Sequence, residues 1–157
     1  MESTDDFFVE DRSYAGPPVR EADVRRVEAE LGVLLPDAYA LLLEQRNGGI
    51  PKKRRIRTSF ANSWADDHIE ISAIKGIGGE WGIDSTSRTG SRLLIEEWGY
   101  PDIGIVICET PSGGHDVVML DYSSRSRSNE PTVVYVDEDR VPRKIADSLR
   151  DFLDRLY

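Results

Sequence analysis

The hydrophobic and polar positions near the start of the chain follow the period of a helix. Val24, Val27 and Leu31 recur at steps of three and four residues, and the positions between them are charged or small. This spacing predicts a helix over residues 21–31 with one apolar face. Gly32 follows at the position where a left-handed residue commonly ends a helix.

A second helix is predicted directly after the first. Pro36 suits the first helical turn, and Tyr39, Leu42 and Leu43 form an apolar stripe behind it. The helix is expected to end at residues 47–49, Asn-Gly-Gly, because both residue types tolerate the left-handed backbone of a helix terminus.

The C-terminal half carries strand patterns instead. Residues 103–108, 116–122 and 132–136 are apolar runs rich in β-branched residues. Residues 110–114, Thr-Pro-Ser-Gly-Gly, form a turn sequence of hairpin length between the first two runs. Residues 144–157 predict a closing amphipathic helix. Because strand follows strand, the pattern indicates an α+β fold: a mainly antiparallel twisted sheet with two N-terminal helices and a C-terminal helix packed on it.

The chain length fits a single domain spanning residues 1–157, in which residues 1–18 form an acidic N-terminal arm. Phe7 and Phe8 are possible anchors of this arm. The predicted core consists of apolar positions from the elements above: Val27, Leu31, Tyr39, Leu42, Leu43, Trp98, Ile105, Ile107, Val118, Leu120, Val134, Leu149, Phe152 and Leu156.

The middle of the chain, residues 50–90, is the least regular part. Ile69 and Ile71 alternate with polar residues, which predicts a short strand. A helical turn is expected at residues 93–98. The basic run at residues 52–57 lacks interleaved aromatic residues, so a solvated loop is favoured over a nucleic-acid contact.

Charge and cysteine content narrow the class of function. The chain has 29 Asp and Glu against 20 Lys and Arg, a net charge of −9. Such a surface repels nucleic acid and anionic lipid and attracts basic partners. The single cysteine, Cys108, lies in an apolar run, which predicts a buried, unreactive thiol. The N-terminus does not resemble a signal peptide and no apolar run could span a bilayer, so we expect a cytoplasmic protein.

Several short motifs occur in a fixed order. Residues 28–36 read Glu-Ala-Glu-Leu-Gly-Val-Leu-Leu-Pro and are followed by the Asn-Gly-Gly of residues 47–49. Residues 97–101, Glu-Trp-Gly-Tyr-Pro, and residues 111–116, Pro-Ser-Gly-Gly-His-Asp, come next. This ordered set resembles the SMI1/KNR4 (SUKH) superfamily in its bacterial, immunity-protein-like branch, and the likeness spans roughly residues 7–156.

The resemblance implies a binding function rather than catalysis. Bacterial members are commonly immunity proteins that bind and neutralise a cognate toxin of a polymorphic or contact-dependent system, and fungal members act as scaffolds. No cofactor and no catalytic residue set belongs to the family. The resemblance therefore implies a protein-binding module whose partner is a basic toxin domain, for example a nuclease. A scaffold or regulatory adaptor without a toxin is the alternative.

Candidate chemistry is sparse. His115 and Asp116 are adjacent, as in some metal-dependent phosphohydrolases, but such a site needs further ligands and His68 is the only other histidine. A turn role, in which this pair hydrogen-bonds nearby amides, is favoured. The glycine-rich residues 76–79 lack the spacing of a phosphate loop, so a flexible loop is expected there.

The tryptophans offer the best candidate surface. Trp64 and Trp81 fall in irregular segments beside acidic residues, a composition typical of a hot spot for a basic partner and equally of loop anchors folded onto the core. Trp98 lies in one of the motifs and is assigned to the core. The predicted partner-binding set is Trp64, Asp66, Asp67, His68, Glu80, Trp81 and Asp84.

Overall fold

Two antiparallel sheets and four helices build residues 7–87, 89–124 and 130–157, which the computed structural model describes. The helices are α1 (Glu21–Leu31), α2 (Asp37–Gln45), α3 (Ser91–Trp98) and α4 (Leu149–Arg155). The strands are β1 (Arg55–Arg57), β2 (His68–Glu70), β3 (Ala73–Ile74), β4 (Gly104–Glu109), β5 (Val117–Asp121), β6 (Thr132–Val136) and β7 (Pro142–Ala146). The large sheet has the order β3-β4-β5-β6-β7, and β1 pairs with β2.

Both faces of the large sheet are covered. Ile105 and Ile107 of β4 belong to the main core cluster, which contains the apolar residues of α1, α2 and α4. Val106, which lies between them in sequence, belongs to a second cluster with Leu94 and Ile95 of α3. Alternate strand residues therefore fill opposite layers. Burial on both faces explains why β4, β5 and β6 read as continuous apolar runs.

The α+β class, the antiparallel pairing, α1, α2 and the β4–β5 hairpin are confirmed. The predicted core is confirmed except at two positions. Leu31 is only half-buried, and the assignment of Trp98 to the core is wrong, since 40% of Trp98 is exposed. Trp98 is the last residue of α3, directly before the left-handed Gly99, and the helix end carries it to the surface.

The predicted C-terminal helix over residues 144–157 is also wrong in part. Ile145 belongs to β7, which pairs with β6, and α4 starts only at Leu149. The Ser148 hydroxyl accepts a hydrogen bond from the Asp151 amide and caps the helix there. Such a cap stabilises a helix start by about 1 kcal/mol and separates the helix from the preceding strand.

Three strands at the edges of the sheets are not predicted by the sequence patterns. The basic run, predicted as a loop, contains β1, in which Arg55 and Arg57 are exposed while Ile56 is buried. The two-residue β3 and the partly charged β7 are the edges of the large sheet. Of the polar loop between β5 and β6, residues 125–129 lie outside the described residues. None of the described helices is long and apolar enough to cross a membrane.

The N-terminal arm is anchored as expected through Phe8. This ring is buried, and its residue forms an antiparallel bridge with Pro51. Arg46, just after α2, lies over the Phe8 ring and donates a 2.6 Å hydrogen bond to the Val9 carbonyl. The arm therefore packs against the same segment that ends α2.

Asn47 joins three segments that are distant in sequence. Its Nδ2 donates 2.7 Å hydrogen bonds to the carbonyls of Pro17 and Ile77, and its Oδ1 accepts a 2.8 Å bond from the Ile77 amide. A Cβ added at Gly76 would lie 2.4 Å from Asn47 Oδ1, so glycine is required for this approach. Next to it, Gly48 adopts a φ of +86°, which favours glycine.

Candidate functional site

The loop between β1 and β2 holds Trp64 at the surface. Asn62 organises it: Oδ1 accepts hydrogen bonds from the amides of Trp64 (2.8 Å) and Ala65 (3.0 Å), and Nδ2 donates to the His68 carbonyl (2.8 Å). The buried Asp137, just after β6, accepts bonds from the amide and hydroxyl of Ser63. The loop is therefore fixed on both sides of the tryptophan.

Trp64 itself is left largely free of contacts with the core. At 57%, Trp64 has the highest exposed fraction among the large apolar residues that are exposed in the described part of the chain. It lies at the rim of a cavity of about 280 Å³, which is also lined by His68, Ser112, Asp116 and Tyr135. An exposed indole next to a concave surface has the form of an interface anchor.

The acidic neighbours of Trp64 are exposed as well. Asp66 and Asp67 both face solvent. Asp67 Oδ1 lies 2.9 Å from His68 Nδ1, and this hydrogen bond, with a further contribution from Arg57, lowers the pKa of Asp67. The structure therefore brings together four of the seven predicted partner-binding residues: Trp64, Asp66, Asp67 and His68.

The other three predicted residues lie in a different loop, between β3 and α3. Glu80 is exposed, and Trp81 is half-buried with its ring edge against Tyr14, at 4.8 Å between centroids. Asp84 has a structural role instead. Its side chain is 7% exposed, accepts a 2.8 Å bond from the Gly78 amide, and pairs with Arg26 of α1 at 3.3 Å.

The glycine-rich residues 76–79 are held in place rather than loosely arranged. The Ile77 amide donates to Asn47 and the Gly78 amide donates to Asp84. Gly76 and Ile77 are buried. The Ile77 and Gly78 amides are therefore bound to protein acceptors instead of being available to a phosphate, and this part of the expected flexible loop is packed.

The β4–β5 turn, residues 110–116, separates the cavity at Trp64 from a second cavity. Asp116 is buried and lines both of them. Its carboxylate accepts hydrogen bonds from the hydroxyls of Thr110, Ser112 and Tyr135. Burial, and then the bond to Asp116, raises the pKa of Tyr135. This network holds the turn rigidly against β6.

The contacts of this turn also concern the alternative function, a metal-dependent phosphohydrolase that would use His115 and Asp116. The Ser112 hydroxyl, rather than a carboxylate, accepts from the amides of His115 and Asp116. His115 is exposed, and its ring stands edge-on to Trp98 at 6.0 Å between centroids. Within the described residues, no group of three or more His, Cys, Asp or Glu side chains is placed to hold a metal ion.

The second cavity, of about 330 Å³, contains residues that the sequence patterns did not mark. Trp81 and Trp98 line it together with Lys75 and Glu109. Lys75 is buried, and its Nζ donates to Glu109 Oε1 (2.9 Å) and to the Thr89 carbonyl (2.6 Å). The sequence gives only a weak signal for the Lys75–Glu109 pair, namely that Lys75 directly follows the apolar residues of β3.

Cys108 also lines this second cavity but does not open to solvent. It is fully buried, and burial raises the pKa of its thiol. The expectation of a buried cysteine is confirmed. A buried thiol held in its neutral form is a poor nucleophile.

Comparison with known protein families gives one match. The sequence model of the SMI1/KNR4 family (SUKH-1) matches residues 18–155. No curated protein matches the chain. The family match covers nearly the whole chain, so the chain belongs to the SMI1/KNR4 family, which includes immunity proteins.

Proposed function

We propose that this member of the SMI1/KNR4 family is a non-catalytic immunity protein that neutralises a protein toxin by binding it. The observation that carries the proposal is the exposed Trp64 on a loop fixed by Asn62 and Asp137. A rigid aromatic anchor loses little conformational entropy when a partner covers it, because the free protein already orders the loop. The presence of immunity proteins in the SMI1/KNR4 family supports the same function.

The negative charge of the protein supports the proposal that its partner is basic. Asp66 and Asp67 are exposed beside Trp64, and the chain carries a net charge of −9. Acidic side chains around an aromatic anchor speed the encounter with a basic surface, such as the phosphate-binding cleft of a nuclease toxin. Glu80 extends this acidic character into the second loop. Asp84 is not part of the proposed surface, because its carboxylate is occupied by Arg26 and Gly78.

The proposal has consequences for location and chemistry. An immunity protein of this kind meets its toxin in the cytoplasm of the cell that it protects. Its action needs complementarity of shape and charge, and neither a cofactor nor a metal takes part. The rival function, a scaffold or regulatory adaptor, shares the binding surface but has no toxin partner.

The first test is whether the gene adjacent to that of this protein encodes a toxin domain; its absence would favour the adaptor function, and its presence supplies the partner for the next experiment. Coexpression of the two chains should restore growth of cells that the toxin domain alone kills, and the purified chains should form a stoichiometric complex. Trp64→Ala should weaken this complex by roughly 30-fold or more, as expected for an anchor worth about 2 kcal/mol. Leu34→Ala is the matched control, since it truncates another exposed apolar side chain, 53% exposed, in the α1–α2 connection.

A second variant tests the electrostatic part. Reversing the charges of Asp66 and Asp67 to lysine should slow association and flatten its dependence on salt, with the melting temperature nearly unchanged. If toxin and protein do not interact, the adaptor function replaces the immunity function. If they interact but Trp64→Ala and the charge-reversal variant bind normally, the assigned surface is wrong.

A further inference from the structure

The second cavity forms a cleft between two tryptophans, and we refer to it as the tryptophan cleft. Its walls are Trp81, from the loop before α3, and Trp98, at the end of α3. Tyr14 from the N-terminal arm also lines the cleft and contacts the Trp81 ring, with 4.8 Å between ring centroids. The β4–β5 turn closes the side that faces the cavity at Trp64.

Neighbouring segments contact Trp98 at both its backbone and its ring. The Trp98 carbonyl accepts a 3.0 Å hydrogen bond from Arg140 Nε, and the ring lies against Gly114. A Cβ at position 114 would approach the Trp98 ring to 3.3 Å, and Gly114 has a φ of +109°, so only glycine suits this position. The ring is nevertheless 40% exposed. An apolar surface of this size is fixed in place without being covered.

The cleft has a charged floor. The Lys75 side chain is 1% exposed, and it forms a 2.9 Å ion pair with Glu109, whose side chain is 23% exposed. Lys75 Nζ also donates a 2.6 Å hydrogen bond to the carbonyl of Thr89, which lines the cleft. The carboxylate, and not the ammonium group, is therefore the part of the pair that solvent reaches. The buried Asp116 adds a second negative charge at the cleft wall.

We propose that the tryptophan cleft receives an arginine side chain of the protein partner. The guanidinium group would stack against the indoles of Trp81 and Trp98 and donate to the accessible oxygen of Glu109. Guanidinium is suited to this site because it is planar, weakly hydrated and able to stack and donate hydrogen bonds at once. This inference rests on the proposed function, since it names the chemistry of a second contact with the partner, at a cavity that the β4–β5 turn separates from the cavity at Trp64.

Charge complementarity distinguishes arginine from an apolar occupant. Among the described residues that line the cleft, Lys75 balances the charge of Glu109, and Asp116 adds one negative charge. The whole chain carries −9. An apolar side chain would gain binding free energy from contact with the indoles alone. A cation gains it from the indoles, from the negative charge of the cleft and from the electrostatic field of the whole chain.

The test needs no toxin. The probe is Nα-acetyl-arginine amide, titrated at millimolar concentrations against the full chain while the three indole N–H signals are followed by NMR. The signals of Trp81 and Trp98 should shift along one saturable curve, and the signal of Trp64 should not. The matched control probe is Nα-acetyl-citrulline amide, which has the same shape as the arginine derivative but no charge, and it should bind roughly 10-fold more weakly or not at all.

Two kinds of variant assign the contacts. Trp81→Ala and Trp98→Ala should each weaken arginine-amide binding by roughly 5- to 10-fold. Glu109→Gln should also weaken it. Because this change leaves the buried Lys75 without its ion pair, the comparison of arginine amide with citrulline amide on the unaltered chain keeps the test valid if a variant fails to fold. Trp64→Ala should leave binding unchanged. No saturable shift, equal binding of citrulline amide, or equal shifts at Trp64 would each overturn the inference.

The toxin experiment separates this inference from the proposed function. If Trp64→Ala weakens toxin binding while Trp98→Ala and Glu109→Gln do not, the immunity function stands and the arginine site is refuted. If arginine amide binds as described but no toxin interacts, the cleft remains an arginine site and the proposed function fails.

Discussion

Replacement of Asn47 by alanine should be among the most destabilising single changes at a polar position in this protein. The side chain makes three hydrogen bonds of 2.7 to 2.8 Å to Pro17 and Ile77. Both Ile77 bonds are buried. Alanine leaves the Ile77 amide and carbonyl without partners, at about 1–3 kcal/mol each, with a smaller contribution from the partly accessible Pro17 carbonyl. We expect a loss of about 3–5 kcal/mol in the free energy of unfolding.

Asn62 supplies a matched control with the same side chain. It also makes three hydrogen bonds, to His68, Trp64 and Ala65, at 2.8 to 3.0 Å. These bonds lie at the surface or are only partly buried, so water can replace the lost amide. Asn62→Ala should therefore cost about 1 kcal/mol.

Equilibrium urea unfolding measures both variants, with far-ultraviolet circular dichroism as the signal. The midpoints and slopes give the free energies of unfolding. The Asn47→Ala loss should exceed the Asn62→Ala loss by at least about 2 kcal/mol. Equal losses would show that the number of hydrogen bonds, and not their burial, sets the cost, and the reasoning would be refuted.

Two further predictions follow from buried titratable groups. Cys108 should react with a thiol reagent only as fast as the chain unfolds, because it is fully buried and its thiol pKa is raised by burial; rapid labelling of the native protein would contradict this. Burial also raises the pKa of Tyr100, Tyr122 and Tyr135 above the ordinary value of about 10. The stability from these neutral phenols is fully present below pH about 10 and is lost as the pH rises further, so urea midpoints should fall as the pH is raised above about 10. A constant midpoint would contradict it.

The helices and central strands could be predicted because a single physical signal determines each of them. Val24, Val27 and Leu31 fit only a helix, and the run at residues 103–108 is too short and too β-branched for one. The prediction for Ile145 is wrong because this residue satisfies two patterns at once. It stands four residues before Leu149, as in a helix, and it also suits a strand, and its pairing with β6 decides the outcome.

The candidate surface was predicted only in part because it depends on contacts between distant segments. Trp64 and Asp67 share one loop, so sequence proximity was sufficient to group them. Asp84 differs because its carboxylate forms an ion pair with Arg26, 58 residues away in the sequence. No local sequence pattern indicates that contact. Its position in the motif of residues 97–101 predicts a core role for Trp98, whereas its exposure follows from the helix ending at Gly99.

The arrangement separates the residues that stabilise the fold from the residues assigned to binding. Two loops that carry tryptophans are fixed by hydrogen bonds to buried polar side chains. Asp137 binds the loop of Trp64, and Asn47 binds the glycine-rich loop that leads to Trp81. The tryptophans themselves contribute little to these networks. Changes at Trp64 should therefore alter binding with little effect on stability, and changes at Asn47 should do the reverse. Loops built in this way allow the exposed side chains to change from one partner to another while the hydrogen bonds that fix the loops stay the same.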